Sequence, residues 1–203
     1  MPHTLFLGST SAARQQLLKE AQIPFILVTQ SADETQCDWN LPWQEVIEKI
    51  SLYKMEHVIL PEDAQQQKHC FVLTADTMGV DIDGVIHGKP SDTQDAIKKI
   101  KALRRGGYVG TAFCLDRKKQ QNGAWVTEER VMQFVSATYE FDMPDEWIPK
   151  YFKEVPHYLK IAGAITIEGY GAQFLKSLNG SYTTILGLPM FEVREALERL
   201  GFF

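Results

Sequence analysis

Asp76 ends a run of apolar and β-branched residues, Phe71-Val72-Leu73-Thr74-Ala75-Asp76-Thr77, and Gly88-Lys89-Pro90 follows one hairpin later, after a turn at Asp83-Gly84. In α/β proteins ligands and chemistry collect in the crevice at the carboxyl ends of the strands. An acid at a strand end and a lysine on the returning loop suit a metal-bridged phosphate. The competing reading is an aspartate capping a turn and a solvated lysine, and the choice depends on a second site far away in sequence. Leu5-Phe6-Leu7 reads as a short buried strand, followed by Gly8-Ser9-Thr10-Ser11-Ala12-Ala13-Arg14 and then by Leu17, Leu18 and Ile23 at helical spacing. Ser11 as N-cap leaves free backbone N–H groups and a positive dipole end at the helix start. Such a strand, hydroxyl-rich loop and helix N-terminus bind anions well, and Arg14 adds a guanidinium able to grip a phosphate in bidentate fashion. The plain alternative is an ordinary strand-to-helix loop with a surface arginine.

The elements that must position these groups alternate along the chain. Strand 4–8 leads to helix 11–22, and 24–29 reads as a second strand. A polar loop with Asp33-Glu34 precedes a helix over about 42–60, with Val46, Ile47, Ile50, Tyr53 and Val58 on one face. A polar loop is expected over 61–70, then strand 71–76, the hairpin at Asp83-Gly84, and a helix from about Ser91 to Leu103, capped by Ser91 or Asp92 and ended by Gly106-Gly107. Two long strands, about 108–117 and 124–141, meet at Asn122-Gly123, a strong hairpin signal. Met143-Pro144-Asp145 opens another helix, and a last amphipathic helix spans 190–201. Glycines crowd residues 163–187, where backbone turns tightly or approaches a ligand.

Composition narrows the function. The 203 residues suffice to bury a sizeable core, and a net charge of −5 argues against a nucleic-acid polymer as partner. A polyanionic substrate then needs locally placed cations or a metal. Cys37, Cys70 and Cys114 are odd in number and lack C-x-x-C spacing, which indicates neither a disulfide framework nor a zinc site. No signal peptide or membrane-spanning run is evident, so a reducing cytoplasm is the expected location. His3, His57, His69, His87 and His157 show no ligand spacing. Trp39, Trp43, Tyr170 and Tyr182 read as packing residues, and Lys118-Lys119 as a solvated hairpin end.

Side by side, these segments resemble the Maf family of nucleoside triphosphate pyrophosphatases. Leu7-Gly8-Ser9-Thr10-Ser11-Ala12-Ala13-Arg14 is similar to the family's opening L-A-S-x-S-P-R-R, with three substitutions. Ala75-Asp76-Thr77 and Gly88-Lys89-Pro90 match its A-D-T and G-K-P. Ala162-Gly163 with Ile167-Glu168-Gly169, and Gly180-Ser181-Tyr182 through Gly187-Leu188-Pro189, match its A-G-x-x-x-I-Q-G and G-S-Y-x-x-V-x-G-L-P. Five weak motifs in one order and at family-like spacing are together specific.

The resemblance implies an α/β fold of the Maf/inosine triphosphatase-like kind: one domain over 1–203, a mixed elongated sheet flanked by helices, and two lobes around a central cleft. It implies hydrolysis of a nucleoside triphosphate between the α- and β-phosphates with Mg²⁺ or Mn²⁺, and it suggests a homodimer. By the same resemblance Asp76 is the catalytic carboxylate and a metal ligand, and Glu34 a second ligand. Ser9, Ser11, Arg14, Lys54 and Lys89 hold the phosphates.

Three departures bear on the base. The family's first arginine is Ala13, its glutamine is Glu168, and Thr77 follows the catalytic acid. An ionised carboxylate only accepts hydrogen bonds, so Glu168 suits the donor edge of guanine, as in the branch that hydrolyses 7-methyl-GTP. Thr77 instead resembles the dTTP/UTP branch. The set is mixed and the base stays open. The rival functional class is a degenerate member that binds nucleotide without turnover, a reading that Ala12 and Ala13 permit.

Overall fold

The structure is a computed structural model and describes residues 3–61 and 68–203. Its main sheet has seven strands in the order β2-β1-β5-β7-β8-β9, with β6 paired to β5. They are β1 (Leu5–Leu7), β2 (Phe25–Leu27), β5 (His69–Asp81), β6 (Ile86–His87), β7 (Gly107–Gln121), β8 (Ala124–Phe141) and β9 (Leu175–Asn179). A separate antiparallel pair joins β3 (Thr29–Gln30) to β4 (Val58–Ile59). The main sheet is mixed: β1 runs parallel to β2 and to β5, whereas β6 on β5 and β9 on β8 are antiparallel. The helices are α1 (Ala12–Glu20), α2 (Trp43–Glu56), α3 (Thr93–Leu103), α4 (Ile148–Glu154), α5 (Tyr182–Ile185) and α6 (Met190–Arg199). This is the helix-flanked α/β arrangement that the sequence leads one to expect.

The chain forms two compact units. The first comprises 1–77, 111–135 and 186–203, and the second 78–110 and 136–185. In the first, strand alternation sorts the core onto two faces, because successive side chains point to opposite sides of a strand. Leu5, Leu7, Phe71, Leu73, Phe113 and Leu115 pack with Leu17 and Leu18 of α1 and Val193 and Leu197 of α6. The interleaved Phe6, Cys70, Val72 and Cys114 pack with Met55 of α2. Each fully buried Leu or Phe contributes about 1.5–3 kcal/mol of transfer free energy, so this two-sided burial holds the first unit's layers together. In the second unit, Ala96, Ile100 and Leu103 of α3 pack with Tyr139 and Phe141 of β8 and with Ile148, Tyr151 and Val155 around α4. Tyr151 donates its hydroxyl to Ala164 O at 3.0 Å and accepts from Thr166 N at 2.9 Å, fixing the 3₁₀ turns of that stretch.

Local signals account for most boundaries. Ser11 caps α1, and Asp92, not Ser91, caps α3. Asn122 and Gly123 take φ of +53° and +78°, the two positive angles of a type I′ turn between β7 and β8. Three expectations are corrected. The helix begun near 42 stops at Glu56, and Val58 belongs to β4. Strand β5 starts at His69 and continues past Asp76 to Asp81. Lys118 is no solvated hairpin end, since it reaches the buried Asp116. Of the loop expected over 61–70, residues 62–67 lie outside the described residues.

Candidate active site

Asp76 sits within β5 at 9 % exposure, and the buried Lys54 of α2 donates to its Oδ1 at 2.6 Å. The same ammonium lies 2.9 Å from Oε1 of Glu34, which opens a short 3₁₀ turn (Glu34–Gln36). Two carboxylates therefore converge on one cation. The seat of Lys54 is built by packing: Val46, Ile47, Ile50 and Met55 bury one side of α2, and Thr74 donates to Ser51 O at 2.8 Å, docking the helix on β5. Lys54, one turn below Ser51, is thus carried to the strand residue two positions beyond Thr74. Among the described residues, Lys54 is the one hydrogen-bond donor to Asp76, which leaves Oδ2 open. Cys37 lies in the same electrostatic neighbourhood. Its thiol is pushed above the ordinary value first by burial and then by the negative charges of Glu34 and Asp76.

Arg14 organises the loop beside this cluster. It is buried, and its Nε donates to Gly187 O at 2.7 Å. Nη1 donates to Ala75 O at 2.9 Å and Ser9 Oγ at 3.0 Å, and Nη2 to Thr77 Oγ1 at 2.9 Å. Four of its five N–H groups are therefore satisfied by protein. Gly187 has φ of +108°, a left-handed conformation, and a Cβ there would stand 3.4 Å from both Arg14 Nε and Thr77 Oγ1. Burial lowers the affinity of Arg14 for its proton, and the charges of Asp76 and Glu34 oppose that. Thr77 extends the network to Thr111 Oγ1 at 2.9 Å. Ser11 accepts from Arg14 N at 3.4 Å and sits half-buried at the start of α1, where Ala13 is also half-buried.

The expected site residues thus fall into two connected groups in the first unit. One is Asp76, Lys54 and Glu34; the other is Ser9, Ser11, Arg14 and Thr77, tied to the first through Ala75-Asp76-Thr77. Lys89 and Glu168 belong to the second unit, and both are exposed within it. Glu168 N donates to Thr166 Oγ1 at 3.2 Å. Sequence reasoning missed Thr111 and the carbonyls of Ala75 and Gly187. A backbone acceptor carries no side-chain signature, although Gly187-Leu188-Pro189 marked the right segment. Among the described residues, no set of three or more His, Cys, Asp or Glu side chains is arranged to hold a metal ion. All three cysteines are free thiols. Among the described residues no helix is long and apolar enough to cross a membrane.

A mixed, helix-flanked sheet carrying a lysine-bridged acid pair beside a hydroxyl-lined helix start defines a class of α/β protein suited to anionic ligands. A sequence profile described as Maf-like protein matches residues 4–200, and the chain belongs to that family. It is 32% identical over 198 residues to a dTTP/UTP pyrophosphatase of Acholeplasma laidlawii, covering 96% of this chain and 95% of that one. It is 33% identical to the dTTP/UTP pyrophosphatase of Caldicellulosiruptor saccharolyticus, over 97% of this chain and 94% of the relative. The corresponding protein of Syntrophotalea carbinolica is 34% identical, with 97% and 84% covered.

Proposed function

We propose that the protein is a nucleoside triphosphate pyrophosphatase, cleaving the α–β phosphoanhydride to release a nucleoside monophosphate and pyrophosphate. The observation that carries this reading is Asp76, a nearly buried carboxylate with one oxygen held by Lys54 and the other free of donors among the described residues. In the reaction, water adds to a phosphorus of the anhydride, its proton passes to Asp76 Oδ2, and the bond to the bridging oxygen breaks. Charge builds on the phosphate oxygens as this happens, and preorganised donors stabilise that charge most in the transition state. Lys54 is the cation nearest the base. Ser9, Ser11 and the N–H groups opening α1 cradle the phosphates, while Arg14 holds Ser9 and Thr77 in place with two of its donors and the carbonyls of Ala75 and Gly187 with two more. Lys89 serves as a further phosphate cation, by resemblance to the family's G-K-P.

Asp76 and Glu34 fit a Mg²⁺ or Mn²⁺ ion. Both are oxygen donors aimed at one positive charge, and such ions bind through one or two carboxylates plus substrate phosphates and water. When bound, the ion supplies charge neutralisation on the phosphates. The three free thiols support a reducing compartment such as the cytoplasm.

For the base, the relatives' shared name and Thr77 favour dTTP or UTP, whereas Glu168 favours a guanine-type edge. Pyrophosphate release across a panel including dTTP, UTP, GTP and 7-methyl-GTP, with Mg²⁺ or Mn²⁺, tests both parts. Turnover of one of these supports the enzyme, and binding without turnover of any decides for a degenerate binder, the reading that Ala13 permits. Glu168→Gln is expected to move the ranking toward pyrimidine triphosphates. An unchanged ranking removes Glu168 from base selection.

A further inference from the structure

The second unit holds a buried acid–imidazole pair that the proposed chemistry leaves unused. Asp81, 5 % exposed at the end of β5, lies 2.7 Å through Oδ2 from Nε2 of His87 in β6, itself 9 % exposed. Asp81 Oδ1 accepts from Asp83 N and Val85 N, each at 2.9 Å, and closes the turn between the two strands. Burial alone would raise the Asp81 pKa, but the hydrogen bonds from His87, Val85 and Asp83 outweigh it and hold it low. Asp81 is therefore an acceptor, and the ring nitrogen facing it carries the proton.

We infer that His87, anchored by Asp81, is a positioning residue for Lys89, setting where the lysine's backbone leaves the fold. The inference rests on the proposed role of Lys89 at the substrate phosphates. Strand β6 is only two residues long, pairing His87 with Gly79 and Ile86 with Val80, so ladder bonds alone give it little hold. Beyond His87 the backbone is pinned twice more: Gly88 O accepts from Gly163 N at 3.1 Å, and Lys89 O from Lys99 Nζ at 3.1 Å. Lys99 is itself held by Asp95 at 2.8 Å. Gly88 and Lys89 are exposed while Pro90 is buried, so the exposed lysine projects from a segment clamped on both sides. His87 is the only one of these clamps made by a buried side chain of the segment itself reaching a buried charge.

The test is a double-mutant cycle in the full chain, reading kcat/KM for the best triphosphate of the panel. His87→Leu is expected to lower kcat/KM by about 10- to 10²-fold, the scale of a displaced contact group. Added to Lys89→Ala, the same change is expected to cost less than about twofold, because its route of action is already gone. His87→Gln, which keeps a donor near the Nε2 position, is expected to restore most of the loss. Equal costs in both backgrounds, or a Gln variant as poor as Leu, would overturn the inference. Hydrogen exchange provides a readout independent of turnover. His87→Leu is expected to speed exchange of the amides of 86–89 while leaving α3 protected, and unchanged rates there would also overturn it. Should the wild type hydrolyse no triphosphate, the proposed function falls, and exchange alone then decides whether His87 holds this segment.

Discussion

The first unit buries two aspartates on strands of one sheet, and they are treated differently. Asp116 of β7 is fully buried, and every side of its carboxylate is filled. Arg130 donates to Oδ1 at 2.7 Å and Oδ2 at 2.8 Å, Thr127 to Oδ2 at 2.8 Å, and Lys118 stands 3.0 Å away. Burial alone would raise the Asp116 pKa, but Arg130, Lys118 and Thr127 more than offset this and hold it low. Among the described residues Asp76 of β5 has one donor, Lys54, which it shares with Glu34. A carboxylate whose lone pairs are all taken holds structure, whereas one with a free oxygen can take a proton or bind a cation. Burial alone does not separate the two; the count of donors does.

The sharpest way to break this contrast is Asp116→Ala. It leaves Arg130 and Lys118 without their buried counter-charge and is expected to lower unfolding free energy by about 3 kcal/mol in urea melts. Turnover per folded molecule should be unchanged, and a stable but inactive variant would place Asp116 in the chemistry. Asp76→Asn should do the reverse, cutting turnover by at least about 10²-fold, the low end for an acid–base group. Its urea midpoint should move little, since Lys54 keeps Glu34; near-normal activity would strip Asp76 of its role. Glu34→Gln is expected to cost about tenfold or less, because Glu34 is half exposed and its pairing is screened by water. A loss as large as that of Asp76→Asn would make the two acids equal partners.

The smallest effect is on pH. A carboxyl whose folded pKa is depressed adds stability above its unfolded value and loses it as pH falls through the folded value. Below about pH 4, the ordinary aspartate range, the wild type should therefore lose stability more steeply than Asp116→Asn. Parallel curves between pH 5 and 2 would mean that Asp116 gains nothing from its partners.

Much of the scaffold was legible because local rules fix it. Ser11, Asp92 and Asn122-Gly123 each act within a few residues, and the structure uses all of them. Strands β3 and β4 were not legible, since two residues show no period, and Val58 prolonged a helical spacing that the chain had already abandoned. The hairpin joining β7 and β8 was read from Asn122-Gly123, but not which of its side chains meet. Asp116 and Arg130 are fourteen positions apart, which is why Lys118 looked like a solvated charge. Aromatics divided as their surroundings dictate. Trp43 packs edge-on against Phe134, and Tyr170 meets Phe174 at its ring edge. Trp39 and Tyr182 instead stand 47% and 46% exposed. At the candidate site, motif and spacing singled out Asp76, Ser9 and Arg14, but not that β5 runs on past Asp76 to Asp81, nor that four protein acceptors surround the Arg14 guanidinium, since those partners lie far away in sequence or on the backbone.

That guanidinium has a consequence for biosynthesis. Its bond to Gly187 joins residues 173 positions apart, so a growing polypeptide still short of that glycine carries Arg14 with one donor unmatched in a half-assembled interior. Catalytic competence should then arise late, near the completion of translation, and ribosome-stalled chains ending before residue 186 are expected to be cut readily by protease around 9–14. Protection equal to that of the finished molecule would show that the amino-terminal segment sets without it.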